Sequence, residues 1–181
     1  SYPSYTVPSS GTWIVSGNCS VDNSVLASSG QLAVFALNGS AIVSLWLNGD
    51  NGDVQPVFNT PSGASFSGSG AGLFPTDGTA FDWQYELNLA TGFCEIFIDS
   101  VSVYSKTVST GIAGDVAGYV ASAPTTRLNF NNEALCRLYN IDFGGTRAYD
   151  PNDYIGTGTN LPDNIGTADA TTANAGMFVF Y

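Results

Sequence analysis

The chain has 181 residues, of which 44% are hydrophobic, and this is enough apolar material for one domain with its own core. Only 10% are charged, and 4 Lys and Arg against 15 Asp and Glu give a net charge of −11. This composition excludes nucleic acid as a partner and insertion into a membrane, because the first needs clustered basic residues and the second an apolar run of about 18 residues. Neutral sugars, cationic groups and calcium stay compatible with it.

Three cysteines, Cys19, Cys94 and Cys136, allow at most one intramolecular disulfide. We expect reduced cysteines in the core, although Cys94 and Cys136 both fall in predicted strands and could be neighbours. The absence of His and of a Cys-x-x-Cys pair removes the usual zinc sites. The chain begins Ser-Tyr-Pro without Met or a signal peptide, which indicates a processed protein or an excised domain.

Strand patterns dominate the first part of the chain. They predict strands at 12–16, 24–27 (a weak signal), 31–37, 41–47 and 54–58. The pair Asn38-Gly39 predicts a hairpin between the third and fourth of these strands. Pro56 places the fifth at a sheet edge, because proline cannot donate to a strand ladder.

The most regular alternation runs through 81–104 and predicts long antiparallel strands. It breaks at 90–92, where a short turn contains a glycine, and again at Ser100. Alternation places Glu95 and Phe97 on the same face of the second strand.

Helix-like spacing occurs at one place, where Ile112 and Val116 are four residues apart. Gly114 and Gly118 would each cost about 1 kcal/mol relative to Ala inside a helix. We therefore predict a loop followed by a strand at 112–121.

Two further strands are predicted at 127–130 and 134–143. Strict alternation in the second would put one set of residues on one face (Leu135, Arg137, Tyr139, Ile141) and the other set on the opposite face (Cys136, Leu138, Asn140, Asp142). A polar, loop-rich tail follows at 144–176, and a closing strand at 177–181. Many short strands with frequent turns predict one all-β domain over residues 1–181, a two-sheet antiparallel jelly roll.

Three segments carry a family resemblance. Glu95-Ile-Phe-Ile-Asp99 resembles a strand that leads into a turn, with Ser100 where the family most often has Gly. Leu135 to Phe143 is similar to a closing strand, and Asn160-Leu-Pro-Asp-Asn-Ile-Gly-Thr167 is similar to the loop after it. In this order they resemble the concanavalin-A-like and laminin-G-like domains of bacteriophage tail and receptor-binding proteins. The resemblance implies a concanavalin-A-like jelly roll and a binding role, most often toward a glycan.

Catalytic motifs are weak in this sequence. Glu95 and Asp99 share a face but lie about 13 Å apart along a strand, whereas glycosidase carboxyl groups lie about 5–9.5 Å apart. Without His, a Ser-His-Asp triad is also excluded. We predict that the protein is not an enzyme. A secreted polysaccharide-degrading enzyme stays an alternative, because acids from distant parts of the chain could meet.

A calcium site is the one cofactor that the sequence suggests. Oxygen-bearing side chains are dense in the turn Asn48-Gly-Asp50-Asn51-Gly-Asp53, and such ligands on a flexible turn suit Ca²⁺. A plain turn is the alternative, because Asn, Asp and Gly dominate turns. The segment Asp150-Pro-Asn-Asp153 is a weaker candidate for the same ion.

A glycan site needs an exposed aromatic ring beside amide or carboxylate groups. The candidates are Trp83, next to Asp82, and a cluster in the polar tail (Tyr149, Asp150, Asn152, Asp153, Tyr154). Trp13 and Trp46 lie in apolar strands and are predicted core residues.

These observations predict a non-catalytic adhesion or recognition domain of a phage tail or virion surface protein, located on a virion or extracellularly. The expected partner is a glycan or a host receptor. The alternative is a structural capsid or tail decoration module that binds other virion subunits. A homotrimer is a further candidate assembly, although no coiled-coil heptad imposes it.

Overall fold

A computed structural model describes residues 4–23, 31–37, 42–63, 70–121, 125–129, 135–145, 148–149, 160–161 and 170–171. The predicted strands at 24–27 and 177–181 and the turn at 38–39 lie outside these residues. In the described part of the chain, no helix is long and apolar enough to cross a membrane.

The described residues form strands and one short helix. In chain order these are β1 (Tyr5–Thr6), β2 (Thr12–Asp22), β3 (Gln31–Leu37), β4 (Ile42–Asn48), β5 (Asp53–Asn59), β6 (Asp77–Asn88), β7 (Phe93–Ile98), β8 (Val101–Thr107), α1 (Thr110–Val116), β9 (Val120–Ala121), β10 (Thr125–Asn129), β11 (Leu135–Asp142), β12 (Ala148–Tyr149), β13 (Asn160–Leu161) and β14 (Ala170–Thr171).

Two antiparallel sheets dominate the fold. A four-stranded sheet has the order β10-β3-β4-β5, and a six-stranded sheet has the order β12-β11-β2-β6-β7-β8. Phe35 of the smaller sheet contacts Trp13, Trp83 and Tyr85 of the larger one, with ring centroids 5.7, 6.3 and 5.1 Å apart. The predicted two-sheet jelly roll is confirmed, and β5 with its Pro56 lies at a sheet edge as expected.

The period-2 alternation of β6 and β7 determines which side chains enter the core. Every second residue is buried between the sheets (Phe81, Trp83, Tyr85 and Leu87 in β6; Cys94, Ile96 and Ile98 in β7). Burial of each large apolar side chain favours folding by about 1.5–3 kcal/mol. The residues between them point to the opposite face, which is where the polar side chains of these two strands lie.

The hairpin between β7 and β8 turns through two residues. Asp99 and Ser100 have φ angles of 49° and 67°, which is the left-handed pair that a two-residue type I′ turn requires. The Asp99 carboxylate accepts a hydrogen bond from the backbone N–H of Asp82 (2.9 Å) and so fastens the turn to β6. The predicted turn at Ser100 is confirmed.

The prediction of a loop at the start of 112–121 is wrong, because α1 covers Thr110–Val116. The Ser109 side chain caps the helix by accepting a hydrogen bond from the N–H of Ile112, and Ile112 and Val116 are buried in the core. This burial outweighs the cost of Gly114. The predicted strand is present as β9.

The strict alternation predicted for β11 is also wrong. Leu138 lies opposite Cys19 and Asn140 opposite Asn18, so Tyr139 is an extra residue, a β-bulge. Ile141 is buried, whereas the Tyr139 hydroxyl lies 3.4 Å from the Ser20 hydroxyl on the outer face. One inserted residue therefore puts Tyr139 and Ile141 on different faces.

Cys19 and Cys94 are reduced thiols in the core, as expected. Cys136 lies in β11, which β2 and β6 separate from β7 in sheet order. Three strand spacings are about 14 Å, which is too far for a disulfide between Cys94 and Cys136. Burial raises the pKa of the Cys94 thiol to about 12.

Candidate functional site

The outer face of the six-stranded sheet, which points away from the smaller sheet, carries a groove of about 460 Å³. Its lining residues come from β2, β6, β7, β11 and the turn after β7 (Ser16, Gly17, Asp82, Trp83, Gln84, Glu86, Phe97, Ser100, Asn140). Most of these residues are polar. The groove is therefore a polar surface on a rigid sheet.

The strand register arranges the outer-face side chains in rows that run across the strands. The central row contains Phe97, Gln84, Ser16 and Asp142. The row on one side of it contains Asp82, Asn18 and Asn140. The row on the other side contains Glu95, Glu86 and Ile14. Residues that are far apart in sequence thus become neighbours on one face.

Hydrogen bonds fix the direction of several polar groups in the groove. The Asn18 amide donates to the Asp82 carboxylate (2.8 Å), and the Gln84 amide donates to the Glu86 carboxylate (2.6 Å). Hydrogen bonds that have an ionised acceptor are stronger than neutral ones. The second oxygen of each carboxylate and the carbonyl oxygen of each amide are thereby held in position for a ligand.

The electrostatic character of this face is acidic. Glu86 and Glu95 lie directly opposite each other on neighbouring strands, and Asp82 lies two rows away, beyond the central row. The Ser102 hydroxyl donates to Glu95 (2.5 Å). Among the described residues that line the groove there is no Lys or Arg. An anionic ligand is disfavoured here, because like charges repel across a short distance.

Phe97 is the more exposed of the two aromatic residues that line the groove, since Trp83 is almost completely buried. Phe97 is half-buried and lies directly opposite Gln84. Tyr139, which is also half-buried, lies beyond Asn140 because of the β-bulge. The groove therefore has one aromatic wall, and a second aromatic residue is close to its β11 side.

The turn after β7 closes one end of the groove. Ser100 is exposed and lines the groove directly. The neighbouring Asp99 is tied to β6 twice, since its N–H also donates to the carbonyl of Asp82 (2.9 Å). This end of the groove is consequently held rigid.

Trp83 is not the exposed platform that the sequence suggests. Only 1% of its surface is accessible, and its ring stacks on Phe35 at 6.3 Å inside the sandwich. Its indole N–H is buried without a hydrogen-bond partner. Alternation explains the error, since Trp83 faces the core while the neighbouring Asp82 faces the groove.

Of the other two tryptophans, which were both predicted to be core residues, one is in the core and one is not. Trp13 is fully buried, as predicted, and donates to the Tyr5 hydroxyl (3.1 Å). Trp46 is half-buried on the outer face of the four-stranded sheet, where its indole N–H donates to Ser44 (3.0 Å). The prediction that Trp46 is a core residue is wrong, because its neighbours Leu45 and Leu47 take the inward positions of β4.

The predicted tail cluster is described only in part. Tyr149 lies in β12 opposite Ile141, at the edge of the six-stranded sheet. Residues 150–154, which contain Asp150, Asn152, Asp153 and Tyr154, lie outside the described residues. A glycan contact from this cluster stays a prediction.

The turn predicted to bind calcium is folded through its own side chains. The side-chain oxygen of Asn48 accepts a hydrogen bond from the backbone N–H of Asp50 (3.1 Å). The side-chain oxygen of Asn51 accepts one from the backbone N–H of Asp53 (3.1 Å). Such bonds are typical of Asx turns. The plain-turn alternative accounts for these contacts.

Asp53 is buried beneath this turn. Its two oxygens accept from the Gly70 N–H (3.1 Å) and the Gln55 amide (3.0 Å). In the described part of the chain, no group of three or more His, Cys, Asp or Glu side chains is placed to hold a metal ion. These contacts favour the plain-turn alternative, and calcium binding by this turn stays an untested expectation from the sequence.

The sequence carries a signal for the groove in the outward positions of β6. In β6 the residues between the buried ones are Asp82, Gln84 and Glu86, and all three line the groove. Alternation alone therefore identifies this polar face. It does not identify the neighbouring strands, whose register depends on pairing over long sequence distances.

Comparison with known proteins supports the fold. No protein-family model and no curated protein matches the chain. Among solved structures, sheep galectin-11 in complex with glycerol matches 78% of this chain and 95% of its own, with 11% identity and a TM-score of 0.52. A tetrameric galectin from the sponge Cinachyrella sp. matches with 11% identity, 78% and 99% coverage and a TM-score of 0.47. A receptor binding domain matches 93% of this chain and 47% of its own, with 10% identity and a TM-score of 0.48. The chain has a lectin-like jelly-roll fold.

Proposed function

We propose that this protein is a non-catalytic recognition domain that binds a neutral glycan in the groove on the outer face of the six-stranded sheet. One observation carries the proposal: polar side chains from three strands and a turn converge with the ring of Phe97 in one groove of about 460 Å³. The fold shared with galectin-11 supports it.

The chemistry of the groove suits a sugar. Sugar hydroxyls need planar acceptors and donors in fixed directions, and the hydrogen-bonded pairs Asn18–Asp82 and Gln84–Glu86 provide them. The less polar face of a pyranose ring needs an apolar surface, and Phe97 is the residue placed to provide one. A site built on strands also loses little entropy when it binds.

The charge of the groove favours neutral or amino sugars over acidic ones. Asp82 and Glu86 line it, and Glu95 lies directly opposite Glu86 on β7. A sialic acid, a uronic acid or a sulfated sugar would bring a second negative charge beside them. We expect these to bind more weakly than neutral sugars of the same size.

The exposed surface favours recognition over a purely structural role. A module that only packs on other subunits needs a large apolar patch. Of the described residues, the exposed large hydrophobics are Phe93, Val101 and Val120, and the first two lie at opposite ends of the β7–β8 hairpin. The resemblance to phage tail domains supports placement on a virion or another extracellular surface.

A catalytic function is favoured by one observation, the pair Glu86 and Glu95 on opposite strands. Their Cβ atoms are about 4.5–5.5 Å apart by this geometry, and retaining glycosidases hold carboxyl groups about 5–5.5 Å apart. However, both residues are half-buried and each accepts a hydrogen bond from a neutral donor. Nothing in their surroundings assigns one as the acid and the other as the nucleophile.

The test is a glycan array that contains neutral, amino, sialylated and sulfated glycans, followed by calorimetry on the strongest hit. Asn140→Ala removes an exposed amide from the groove, and Asn59→Ala removes an exposed amide from the other sheet as the matched control. We expect Asn140→Ala to weaken binding about tenfold and Asn59→Ala to leave it unchanged.

Two outcomes would contradict the proposal. If a folded sample bound no glycan, the structural alternative would be favoured. If bound glycan were cleaved, which chromatography of the reaction would reveal, the Glu86 and Glu95 pair would be catalytic.

A further inference from the structure

A second depression continues the groove along β2. It has a volume of about 230 Å³, and Ser16 lines both it and the groove. We propose that this depression holds a second sugar unit, so that the ligand is a neutral oligosaccharide of at least two units rather than a monosaccharide. This inference rests on the function proposed above.

The depression arises because two paired strands end at different places. The pairing of β2 with β11 ends at Ser16, opposite Asp142, whereas β2 itself begins at Thr12. The chain leaves β11 through Gly144 and Gly145, whose φ angles of 64° and 69° turn it away. The first residues of β2 therefore have no partner from β11, and the depression lies beside them.

The turn that borders the depression has a defined shape. The Gly145 N–H donates to the Asp142 carboxylate (2.6 Å). A Cβ atom added to Gly144 would lie 3.3 Å from the carbonyl oxygen of Ile14, so the turn passes close to β2. The depression is thus a formed feature of the fold, bounded by backbone on two sides.

The two depressions differ in chemistry. The groove is lined mainly by acids, amides and Ser, whereas the second depression is lined by Pro8, Trp13 and Ile14, by Thr12 and Ser16, by Asp142 and by the glycine turn. Its apolar residues suit the less polar face of a pyranose ring or the methyl group of an acetamido sugar, and the Asp142 carboxylate disfavours an acidic unit. The second unit is consequently neutral as well.

The spacing fits one ligand that crosses both depressions. Ile14 and Ser16 lie on the same face of β2, two residues and about 7 Å apart. This is comparable with the length of one pyranose ring and its linkage. Because Ser16 borders both spaces, one ligand that lies along β2 can contact both.

The experiment is a chain-length series measured by calorimetry. The probes are glucose, galactose and N-acetylglucosamine, each with its homologous oligosaccharides of two to four units. We expect the preferred series to gain at least about tenfold in affinity from one unit to two or three, which is about 1.4 kcal/mol.

Variants then test whether the second depression causes this gain in affinity. Ile14→Ala removes the apolar wall, and Thr12→Ala removes an exposed hydroxyl with little risk to folding. Both are expected to lower the affinity of the longer sugars toward that of the monosaccharide while leaving monosaccharide affinity unchanged. Val57→Ala changes a half-buried β-branched residue of the other sheet and is the matched control.

The outcomes separate this inference from the proposed function. Equal affinity for the monosaccharide and its oligomers, or a loss in Ile14→Ala and Thr12→Ala that is the same at every length, would overturn the two-unit site and leave the glycan-binding function intact. Absence of binding to every sugar would overturn both.

Discussion

Glu86 on β6 and Glu95 on β7 lie directly opposite each other on neighbouring strands of the six-stranded sheet. Like charges in this position destabilise a strand pair. We predict that Glu95→Gln raises the free energy of unfolding by about 0.2–1 kcal/mol. The amide keeps an acceptor for the Ser102 hydroxyl but removes the repulsion. Urea denaturation at neutral pH and low salt measures the change.

The paired variant and salt provide the controls for this prediction. The double variant Glu86→Gln with Glu95→Gln should gain no more than either single change, because one substitution already removes the repulsion. The gain should shrink in 1 M salt, where the screening length is about 3 Å. A loss of stability in Glu95→Gln would show that the carboxylate makes a favourable contact that outweighs the repulsion.

Ser100 adopts a left-handed backbone conformation with φ of 67°. This conformation costs a non-glycine residue about 1–2 kcal/mol, while glycine adopts it freely but loses more entropy on folding. We predict that Ser100→Gly raises the free energy of unfolding by up to about 1 kcal/mol. Ser105→Gly, at an exposed position inside β8, should lower it, and thermal melts of the two variants should move in opposite directions.

Gly17 is required by close packing. An added Cβ would overlap the carbonyl oxygen of Asn140 and lie 2.8 Å from Cζ2 of Trp83. We predict that Gly17→Ala lowers the free energy of unfolding by about 1–3 kcal/mol. The control is Gly114→Ala in α1, where an added Cβ meets nothing within 4 Å and helix propensity favours Ala by about 1 kcal/mol. Equal melting temperatures for the two variants would contradict the packing argument.

Alkaline pH should destabilise the fold through the buried Cys94 and the half-buried Tyr104. Burial raises the pKa of Cys94 and that of Tyr104 each to about 12, above the values of about 8.5 and 10 expected in an unfolded chain. The folded state therefore keeps protons that the unfolded state releases, so stability present below about pH 8.5 is lost as pH rises toward 12. The urea midpoint should fall between about pH 9 and pH 11.

Substitution identifies the source of this pH dependence. Cys94→Ala is less stable at neutral pH because it leaves a cavity, but its stability should fall less steeply with pH. Tyr104→Phe should have the same effect on the slope. If both variants retained the wild-type slope, other groups would be responsible.

The turn at 48–53 gives a prediction for metal removal. Because both oxygens of Asp53 already accept hydrogen bonds from the protein, we expect millimolar calcium or excess chelator to leave the melting temperature unchanged. Scanning calorimetry measures it. A rise with calcium that Asp53→Asn abolishes would instead establish the ion site, since a ligand that binds only the folded state raises stability.

Alternation predicted most of the fold where it was uninterrupted. The strands at 31–37 and 54–58 and the hairpin within 81–104 were predicted within a few residues, because a two-residue period reports burial directly. β2 was predicted too short, since Gly17 and Asn18 interrupt its apolar pattern although the strand continues. Helix α1 was missed because tertiary burial of Ile112 and Val116 overrides the poor local propensity.

The candidate site was harder to predict from the sequence than the fold. The groove combines residues of strands that are up to 124 positions apart, such as Ser16 and Asn140, and their register is set by pairing. The bulge at Tyr139 changes which residues of β11 face outward, and no local sequence pattern predicts this bulge. Residue type was also misleading, because the tryptophan chosen as a binding platform is a core residue.

The alternation of inward and outward residues along each strand has a consequence for how the sequence of such a domain can change. Inward residues of β6 maintain the sandwich, and the intervening outward residues form the groove. Asp82, Gln84 and Glu86 can therefore be exchanged without a change in the side chains that fill the interior, and each exchange alters the proposed binding surface. Galectin-11 and this chain share the architecture at 11% identity, so very different sequences satisfy the same pattern of inward positions.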